Sequence, residues 1–503
     1  MTAIALPNFL IISTMLVGMV NLITPFFTKN DSQIRNFFLF SVSGFFLINI
    51  LIIDYLFING TEIRFTLLNL SKYSISFAVE PIGLIFLTML AFLWIPALLY
   101  TVKFLSINGL VRSNRYLFFV NSCVLVGCLI ALSANLITMF IWYEILTLCT
   151  IPLIVHDVNG KSINGLIKYL KILLISSLVL FLPAIIIIYT QIGTGTFVKG
   201  GFISAYFSDK AAILLLLAFI FGISKAALYP LHSWLPAAMV ASYPVSALLH
   251  AVVVVKTGLF CIFKILLYVF GLEYLQYLFG NYNWLIIFPI ITILYSSLQA
   301  LRYYEIKTIL AYSTINQLSI ALMSAFLLTP KGLAAAVMHM VSHALTKICL
   351  FYSVGGFYSM NNIYKINELM NMKKLAPKVS FVFLISSLSL IGIPPLAGFI
   401  SKFYIMMAAA ESDNFLVMIV LGISVLFSAL YLSKMLSFIY STEDTVKTAI
   451  QIQNNDEIND NGEAKKNTKK LHWYILLSLY LCLTGVIGFF VVQQFVNVLL
   501  TFI

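Results

Sequence analysis

Apolar runs long enough to cross a lipid bilayer follow one another through almost the whole of this sequence. Since about 17–25 helical residues span the hydrocarbon core, fourteen spans can be placed, near residues 5–27, 36–58, 79–102, 115–133, 136–155, 166–190, 211–235, 244–270, 282–301, 307–328, 332–358, 379–408, 415–440 and 473–500. Backbone groups in lipid must pair within their own segment, which favours helices over open sheets. The predicted fold is therefore an all-α polytopic membrane protein with about 14 transmembrane helices.

The distribution of charge agrees with a membrane location. Only 10% of the residues are charged, whereas a soluble domain has about 25%. The net charge of +12 does not indicate a nucleic-acid partner, because the basic residues lie mainly in the loops between apolar runs. Most of these loops fall on the cytoplasmic side if both termini are non-cytoplasmic, as the positive-inside rule requires. We expect an integral multi-pass protein of a bacterial inner membrane, in contact with the lipid bilayer.

One stretch, residues 222–258, combines lysines and prolines within apolar spans: GISKAALYPLHSWLPAAMVASYPVSALLHAVVVVKTG. A charge in the membrane interior costs about 2.5–3.5 kcal/mol, so Lys225 and Lys256 need an explanation. Pro230 and Pro236 interrupt the helix, and Pro230 is expected to open it within a turn of Lys225. Broken helices at membrane depth line cavities or lie inside protein. This pattern indicates an ion path.

A second run, LSLIGIPPLAGFISKFYI, repeats the combination of a break and a deep lysine. Pro394, Pro395 and Gly398 interrupt it, and Lys402 follows. About five helices around each break would make two repeats, and an odd number of helices inverts the second copy. We therefore expect two inverted five-helix repeats, each containing one broken helix. The predicted divisions are an N-terminal three-helix segment, the two repeats, a polar cytoplasmic loop and the last helix, at residues 1–114, 115–270, 271–440, 441–471 and 472–503.

Glu144 lies in the apolar run MFIWYEILTL without a charged neighbour in sequence, so a partner on another helix is expected. Two interpretations stay open: a structural ion pair with Lys225, or a carboxylate on a proton path. They are compatible, because a pair that forms and breaks can drive proton release. Lys264 and Lys434 lie near predicted helix ends, and we expect their ammonium groups to reach the membrane interface instead.

His339, His343 and Lys347 recur at four-residue spacing, so they share one helix face over about 12 Å. That face predicts a polar track along the bilayer, with His250 and Lys256 directed towards the same interior water. A metal site at the two histidines is disfavoured, because the face carries no carboxylate or cysteine. The six cysteines lie mostly in apolar segments without a CxxC pair. We expect no metal and no cofactor.

Four longer motifs follow one another along the chain: SKAALYPLHSWLPAAMVASYPVSALLHAVVVVKTG, KTILAYSTINQLS, HMVSHALTKICLF and IGIPPLAGFISKF. They resemble the antiporter-like family, the large membrane subunits of respiratory complex I and of Mrp-type cation/proton antiporters. The resemblance implies fourteen helices, with inverted repeats at spans four to eight and nine to thirteen. It also implies roles for the polar residues: an acid–base pair of Glu144 and Lys225, a central Lys256, a connecting track of His339, His343 and Lys347, and Lys402 as the distal residue of the exit half-channel.

Within this family, the sequence is most similar to D-type Mrp subunits, and it favours a proton-translocating subunit of a multi-subunit Na⁺/H⁺ antiporter. The lysine at position 402 fits that subunit and some complex I subunits, but departs from complex I subunits with glutamate there. The alternatives are a proton-pumping membrane subunit of NADH:quinone oxidoreductase and a non-conducting scaffold. No phosphate-binding glycine loop or flavin site is visible, so NADH chemistry would belong to other subunits. The implied partners are other membrane subunits, protons and a monovalent cation such as Na⁺.

Overall fold

The computed structural model describes residues 5–27, 32–70, 72–156, 160–280, 283–441 and 471–502. The first helices are α1 (Ala5–Ile23), α2 (Gln33–Ile58), α3 (Pro81–Ile107), α4 (Ser113–Ala131), α5 (Leu136–Ile154), α6 (Gly160–Ser176) and α7 (Leu182–Ile192). Strands β1 (Arg64–Leu70) and β2 (Tyr73–Ala78) lie between α2 and α3. The middle helices are α8 (Asp209–Gly222), α9 (Trp234–Ala237), α10 (Tyr243–Ala247), α11 (Val254–Lys264), α12 (Leu272–Phe279), α13 (Ile287–Arg302), α14 (Ile306–Ala325) and α15 (Pro330–Asn361). The last are α16 (Met372–Leu375), α17 (Pro377–Ile391), α18 (Ala397–Glu411), α19 (Phe415–Tyr440), α20 (Trp473–Ile487) and α21 (Phe489–Leu500).

Ten helical spans within these residues are long and apolar enough to cross a membrane, and the pair α20–α21, bent by 62°, brings the number to eleven. One span, Gly160–Ile192, unites α6 and α7 through a π-helical turn, and another, Tyr243–Phe270, unites α10 and α11. The protein is therefore a mostly helical, multi-pass membrane protein. Most of the predicted polar loop at 441–471 lies outside the described residues.

The helices that carry the candidate residues begin at local sequence signals. Before α5, the Asn135 side chain accepts a hydrogen bond from the Thr138 N–H at 2.8 Å. Before α15, the Thr329 hydroxyl accepts one from the Gly332 N–H at 3.0 Å, and Pro330 occupies the first turn. Such caps satisfy N–H groups that have no partner inside the helix, and proline has none to satisfy. These signals fix where the helices of Glu144 and His339 start.

Two helices break at the proline-containing motifs. α8 ends at Gly222, and short 3₁₀ turns lead to α9. α17 ends at Ile391, and Gly392 then takes a φ of +104°, a backbone conformation that favours glycine. The predicted break residues divide between the breaks and the elements beside them: Pro230, Pro394 and Pro395 lie in the breaks, Pro236 in α9, and Gly398 in the first turn of α18.

The hairpin β1–β2 was not predicted, and the all-α fold class is wrong in this segment. Its strands pair antiparallel, with Arg64 opposite Ala78. The hairpin also bonds to the connection between α4 and α5: the Ala78 N–H donates to the Leu132 carbonyl at 2.7 Å, and the Ala134 N–H donates to the Ser76 carbonyl at 3.0 Å. The start of α3 is thereby held against the start of α5.

Lys264 is fully buried, so the expectation that it reaches the membrane interface is wrong. Its ammonium lies 2.9 Å from a Glu80 carboxylate oxygen, donates to the Ser133 carbonyl, and lies 4.3 Å from the ring centroid of Phe197. The ion pair joins the start of α3 to the end of α11. Its carboxylate immediately precedes α3, where the helix dipole favours negative charge.

Replacing Glu80 by Gln should destabilise the protein, because it leaves the Lys264 ammonium buried without a counter-charge. Removing one member of a buried ion pair costs about 3–5 kcal/mol, and we expect a loss of that size in the unfolding free energy measured in detergent.

The matched control is Glu411→Gln, which removes the acid of an exposed pair with Lys331, 2.7 Å apart with side chains 46% and 70% exposed. Exposed pairs contribute about 0–1 kcal/mol. Equal losses in the two variants would contradict a stabilising role for the buried pair.

Candidate proton-path site

Lys225 is fully buried in the 3₁₀ turn that follows α8. Its ammonium donates to the Thr147 hydroxyl at 2.7 Å and to the Tyr143 carbonyl at 2.9 Å. It also lies 3.1 Å from the centroid of the Tyr143 ring, whose face attracts a cation. All three contacts come from α5. The first break therefore places its lysine directly on the helix that carries Glu144.

Glu144 does not bond to Lys225. Its carboxylate accepts no hydrogen bond from the residues that the structure describes. The two charges are nevertheless close enough to attract each other. The structure holds the predicted acid–base pair as neighbours, with neutral groups of α5 as the direct partners of the lysine.

Lys256 is fully buried on α11, and its Nζ lies 2.5 Å from Nδ1 of His343 on α15. A neutral imidazole nitrogen accepts a hydrogen bond from an ammonium, and a protonated one donates to a neutral amine. Either residue can therefore carry the proton that this contact shares. The contact connects the central lysine to the predicted track.

The track histidines lie one turn apart on α15 with their rings nearly parallel. The ring centroids of His339 and His343 are 6.3 Å apart, with an interplanar angle of 8°. His339 Nδ1 lies 3.0 Å from the hydroxyl of Ser401 on α18, and this hydroxyl also donates to that of Ser342 at 3.2 Å. The histidine face of α15 is thereby connected to the helix of Lys402.

Two further lysines donate to backbone carbonyls. Lys347 donates to the Leu310 carbonyl on α14 at 3.1 Å. Lys402 donates to the carbonyls of Leu390 and Ile391 at 2.6 and 3.0 Å. These are the last two residues of α17, where carbonyls have no partner within the helix. Lys402 thus closes the end of the second broken helix.

His250 is fully buried in the π-helical turn before α11, and neither ring nitrogen bonds to a described residue. Its ring centroid lies 5.6 Å from that of Phe351 on α15. The structure therefore places it beside the track without joining it to Lys256. The predicted residues fall into two groups: Glu144 with Lys225, and Lys256 with His343, His339, Lys347 and Lys402.

Sequence reasoning missed the neutral partners of the lysines, such as Thr147 and Ser401, because hydroxyl residues in membrane helices carry no signal of their own. It also missed Asp54, which is buried on α2 and accepts a hydrogen bond from the Thr88 hydroxyl at 2.8 Å. An acid inside an apolar run was the available signal. Its position four residues before the end of α2 resembles that of an interfacial side chain.

The sequence matches the family described as "NADH:quinone oxidoreductase/Mrp antiporter, TM" over residues 133–428. This match covers more than half of the chain and contains all the residues predicted for the proton path. The chain belongs to this family. The predicted resemblance to the antiporter-like membrane subunits is thereby confirmed.

Among curated members of the NADH:quinone oxidoreductase/Mrp antiporter family, the chain is similar to proteins named "Putative antiporter subunit mnhA2". It is 30% identical over 383 residues to that of Staphylococcus haemolyticus, covering 71% of this chain and 46% of the relative. It is 31% identical over 370 residues to that of Staphylococcus saprophyticus, covering 68% and 44%. The chain therefore spans about half the length of the curated relatives it matches.

Two solved complexes contain a chain with the same fold. One is the Mrp complex from Dietzia sp. DQ12-45-1b, with a TM-score of 0.82 and 19% identity over 99% of this chain and 97% of that chain. The other is the membrane-bound sulfane sulfur reductase, an archaeal respiratory membrane complex, with a TM-score of 0.79 and 20% identity over the same shares. At these identities the similarity establishes the fold.

Gly258 provides a test of how the two groups are held together. A Cβ at this position of α11 would meet the backbone of Lys225 and Ala226, with the Ala226 Cα at 2.9 Å. Backbone cannot yield cheaply, and overpacking costs about 1–3 kcal/mol. We expect Gly258→Ala to lower the melting temperature of the purified protein. In Gly422→Ala, on α19, the new Cβ meets nothing within 4 Å, and equal melting temperatures in the two variants would contradict this account.

Proposed function

We propose that this protein is the proton-translocating membrane subunit of a multi-subunit monovalent cation/proton antiporter of the Mrp type, exchanging protons for Na⁺. Protons move between the Glu144–Lys225 pair and the distal residue through a buried series of bases: Lys256, His250, His343, His339, Lys347 and Lys402. The observation that carries the proposal is the 2.5 Å contact between Lys256 and His343. It joins two buried bases on different helices, and no described carboxylate bonds to either of them.

Repulsion between like charges provides a mechanism for movement along this series. In a water-poor interior, nearby ammonium and imidazolium groups repel one another strongly, so protonating all of them at once is unfavourable. A proton that arrives at one base therefore favours release from the next. Carbonyl and hydroxyl partners stabilise each ammonium without a fixed negative charge that would hold its proton. At the other end, attraction to Glu144 opposes release from Lys225 until the acid itself is protonated.

We extend the proposal to the complete topology. Fourteen transmembrane helices are supported if α8, α14 and the broken pair α17–α18 are added to the eleven spans that are long and apolar enough to cross a membrane. Inverted repeats at residues 115–270 and 271–440 are supported by one break in each, with a buried lysine beside it. The cytoplasmic excess of Lys and Arg supports non-cytoplasmic termini in a bacterial inner membrane.

The subunit type is a separate part of the proposal. The D-type assignment is supported by Lys402 and by the wording of the motif around Lys225. The alternative is a proton-pumping subunit of NADH:quinone oxidoreductase, supported by the family description, which names both assemblies. Purification of the native complex in mild detergent distinguishes them. Co-purifying flavin and iron–sulfur subunits would favour the alternative, whereas other Mrp subunits alone would favour the antiporter.

Lys225→Ala and Glu144→Ala should reduce Na⁺-driven proton movement by at least about tenfold, because each removes a proton-binding group. The measurement uses inverted membrane vesicles and a pH-sensitive dye, with the amount of assembled complex determined in the same preparation. Lys331→Ala, which removes an exposed lysine, should exchange at the unmodified rate.

Full exchange by Lys225→Ala in the assembled complex would contradict the proposed path. Full exchange by a charge-swapped Glu144→Lys/Lys225→Glu protein would favour a scaffold whose charges only pair. If the complex is an NADH:quinone oxidoreductase, the same substitutions should instead lower NADH-driven proton pumping.

A further inference from the structure

Hydrogen bonds connect Lys347 to α19, a helix in which the sequence indicated no functional residue. The Lys347 ammonium donates to the Ser313 hydroxyl on α14. A side-chain hydrogen bond joins Ser313 to Tyr431 on α19, and the Tyr431 hydroxyl donates to that of Ser428 at 3.1 Å. All four side chains are at most 1% exposed. We call Ser313, Tyr431 and Ser428 the hydroxyl seam.

The hydroxyl seam lies in the part of the bundle where α14 begins and α19 ends. Ser313 belongs to the first third of α14, and Tyr431 to the last third of α19. One turn after Tyr431, the half-buried Lys434 places its ammonium 4.1 Å from the ring centroid of Tyr304, just before α14. About 14 Å of helix then separates Tyr431 from the end of α19. In the proposed orientation this end is cytoplasmic.

We propose that the hydroxyl seam is a second access branch, through which Lys347 exchanges protons with the cytoplasmic end of α19. The inference rests on the proposed proton-translocating function and adds a route that the predicted path does not contain. The predicted path reaches Lys347 only along α15, from His343. The branch reaches it from α14 and α19.

Each group in the branch gains one proton and gives one away. The Lys347 ammonium passes a proton to the Ser313 oxygen, Ser313 passes its hydroxyl proton to Tyr431, and Tyr431 passes its own to Ser428 and then to water at the helix end. Lys347 remains as a neutral amine, and the reverse sequence recharges it. Before transfer the Ser313 hydroxyl must turn from the Leu310 carbonyl, to which it donates at 3.0 Å.

A purely structural role is the competing explanation, because hydroxyl contacts between membrane helices contribute about 0.6 kcal/mol each. The chain offers a matched contact between the same two helices. Ser424 on α19 donates to the Asn316 side chain on α14 at 2.9 Å. Neither residue bonds to Lys347 in the part of the chain that the structure describes. Loss of the Ser424 contact therefore weakens the α14–α19 packing and leaves the branch intact.

The test compares Tyr431→Phe with Ser424→Ala in the complete complex, in vesicles. Tyr431→Phe keeps the ring and removes the hydroxyl, so exchange should fall about tenfold, as for loss of a proton-transfer group. The melting temperature and the yield of complex should match those of Ser424→Ala, which should exchange at the unmodified rate. The ratio of exchange rates in H₂O and D₂O should rise in Tyr431→Phe, because proton transfer then limits the rate.

Full exchange by Tyr431→Phe, or an equal loss in Ser424→Ala, would overturn the branch and leave the hydroxyl seam as a packing contact. Lys225→Ala in the same vesicles separates this failure from that of the proposed function. Exchange that survives Lys225→Ala contradicts the whole path, whereas exchange lost there and retained in Tyr431→Phe contradicts the branch alone. If Tyr431→Phe does not assemble, Ser428→Ala removes the last hydroxyl of the seam and has the same two outcomes.

Discussion

Buried lysines must find hydrogen-bond acceptors, and in this protein the acceptors are mostly neutral. An ammonium that leaves water loses several kcal/mol of solvation, which only close partners can offset. Among the described residues, Lys225, Lys347 and Lys402 donate to carbonyls or hydroxyls, and Lys256 contacts an imidazole. Lys264 is different, because it contacts a carboxylate. A proton can leave the first four without stranding a bonded anion, whereas the Lys264 pair favours permanent charge.

Helix ends provide many of these neutral acceptors. A continuous membrane helix uses its carbonyls internally, so an ammonium beside it finds few that are free. The break after α17 exposes the carbonyls of Leu390 and Ile391, and Lys402 binds both. The break after α8 acts in the opposite sense: it frees the chain around Lys225 to approach α5, where a threonine hydroxyl completes the site. In each case the proline-containing motif and the lysine form one device.

The positions of the deep lysines and the two breaks could be predicted, because a charge or a proline inside an apolar run is visible in sequence. Their partners could not be predicted. Lys264 was assigned to the interface since sequence position gives approximate depth, and Glu80 reaches it from a distant segment. The hairpin β1–β2 lies between apolar runs, where span counting has no information. Serine and tyrosine occur throughout membrane helices, so only the fold reveals that Ser313 and Tyr431 meet beside Lys347.

The close packing of Gly258 determines how the two groups of bases are related. Because this residue has no side chain, the backbone of α11 rests directly on the turn that contains Lys225. Two residues earlier, the same helix carries Lys256. The attachment points of the two lysines are therefore fixed by backbone against backbone, with no flexible side chain between them. Any rearrangement that altered their spacing would have to separate this contact, so the two lysines behave as parts of a single rigid unit.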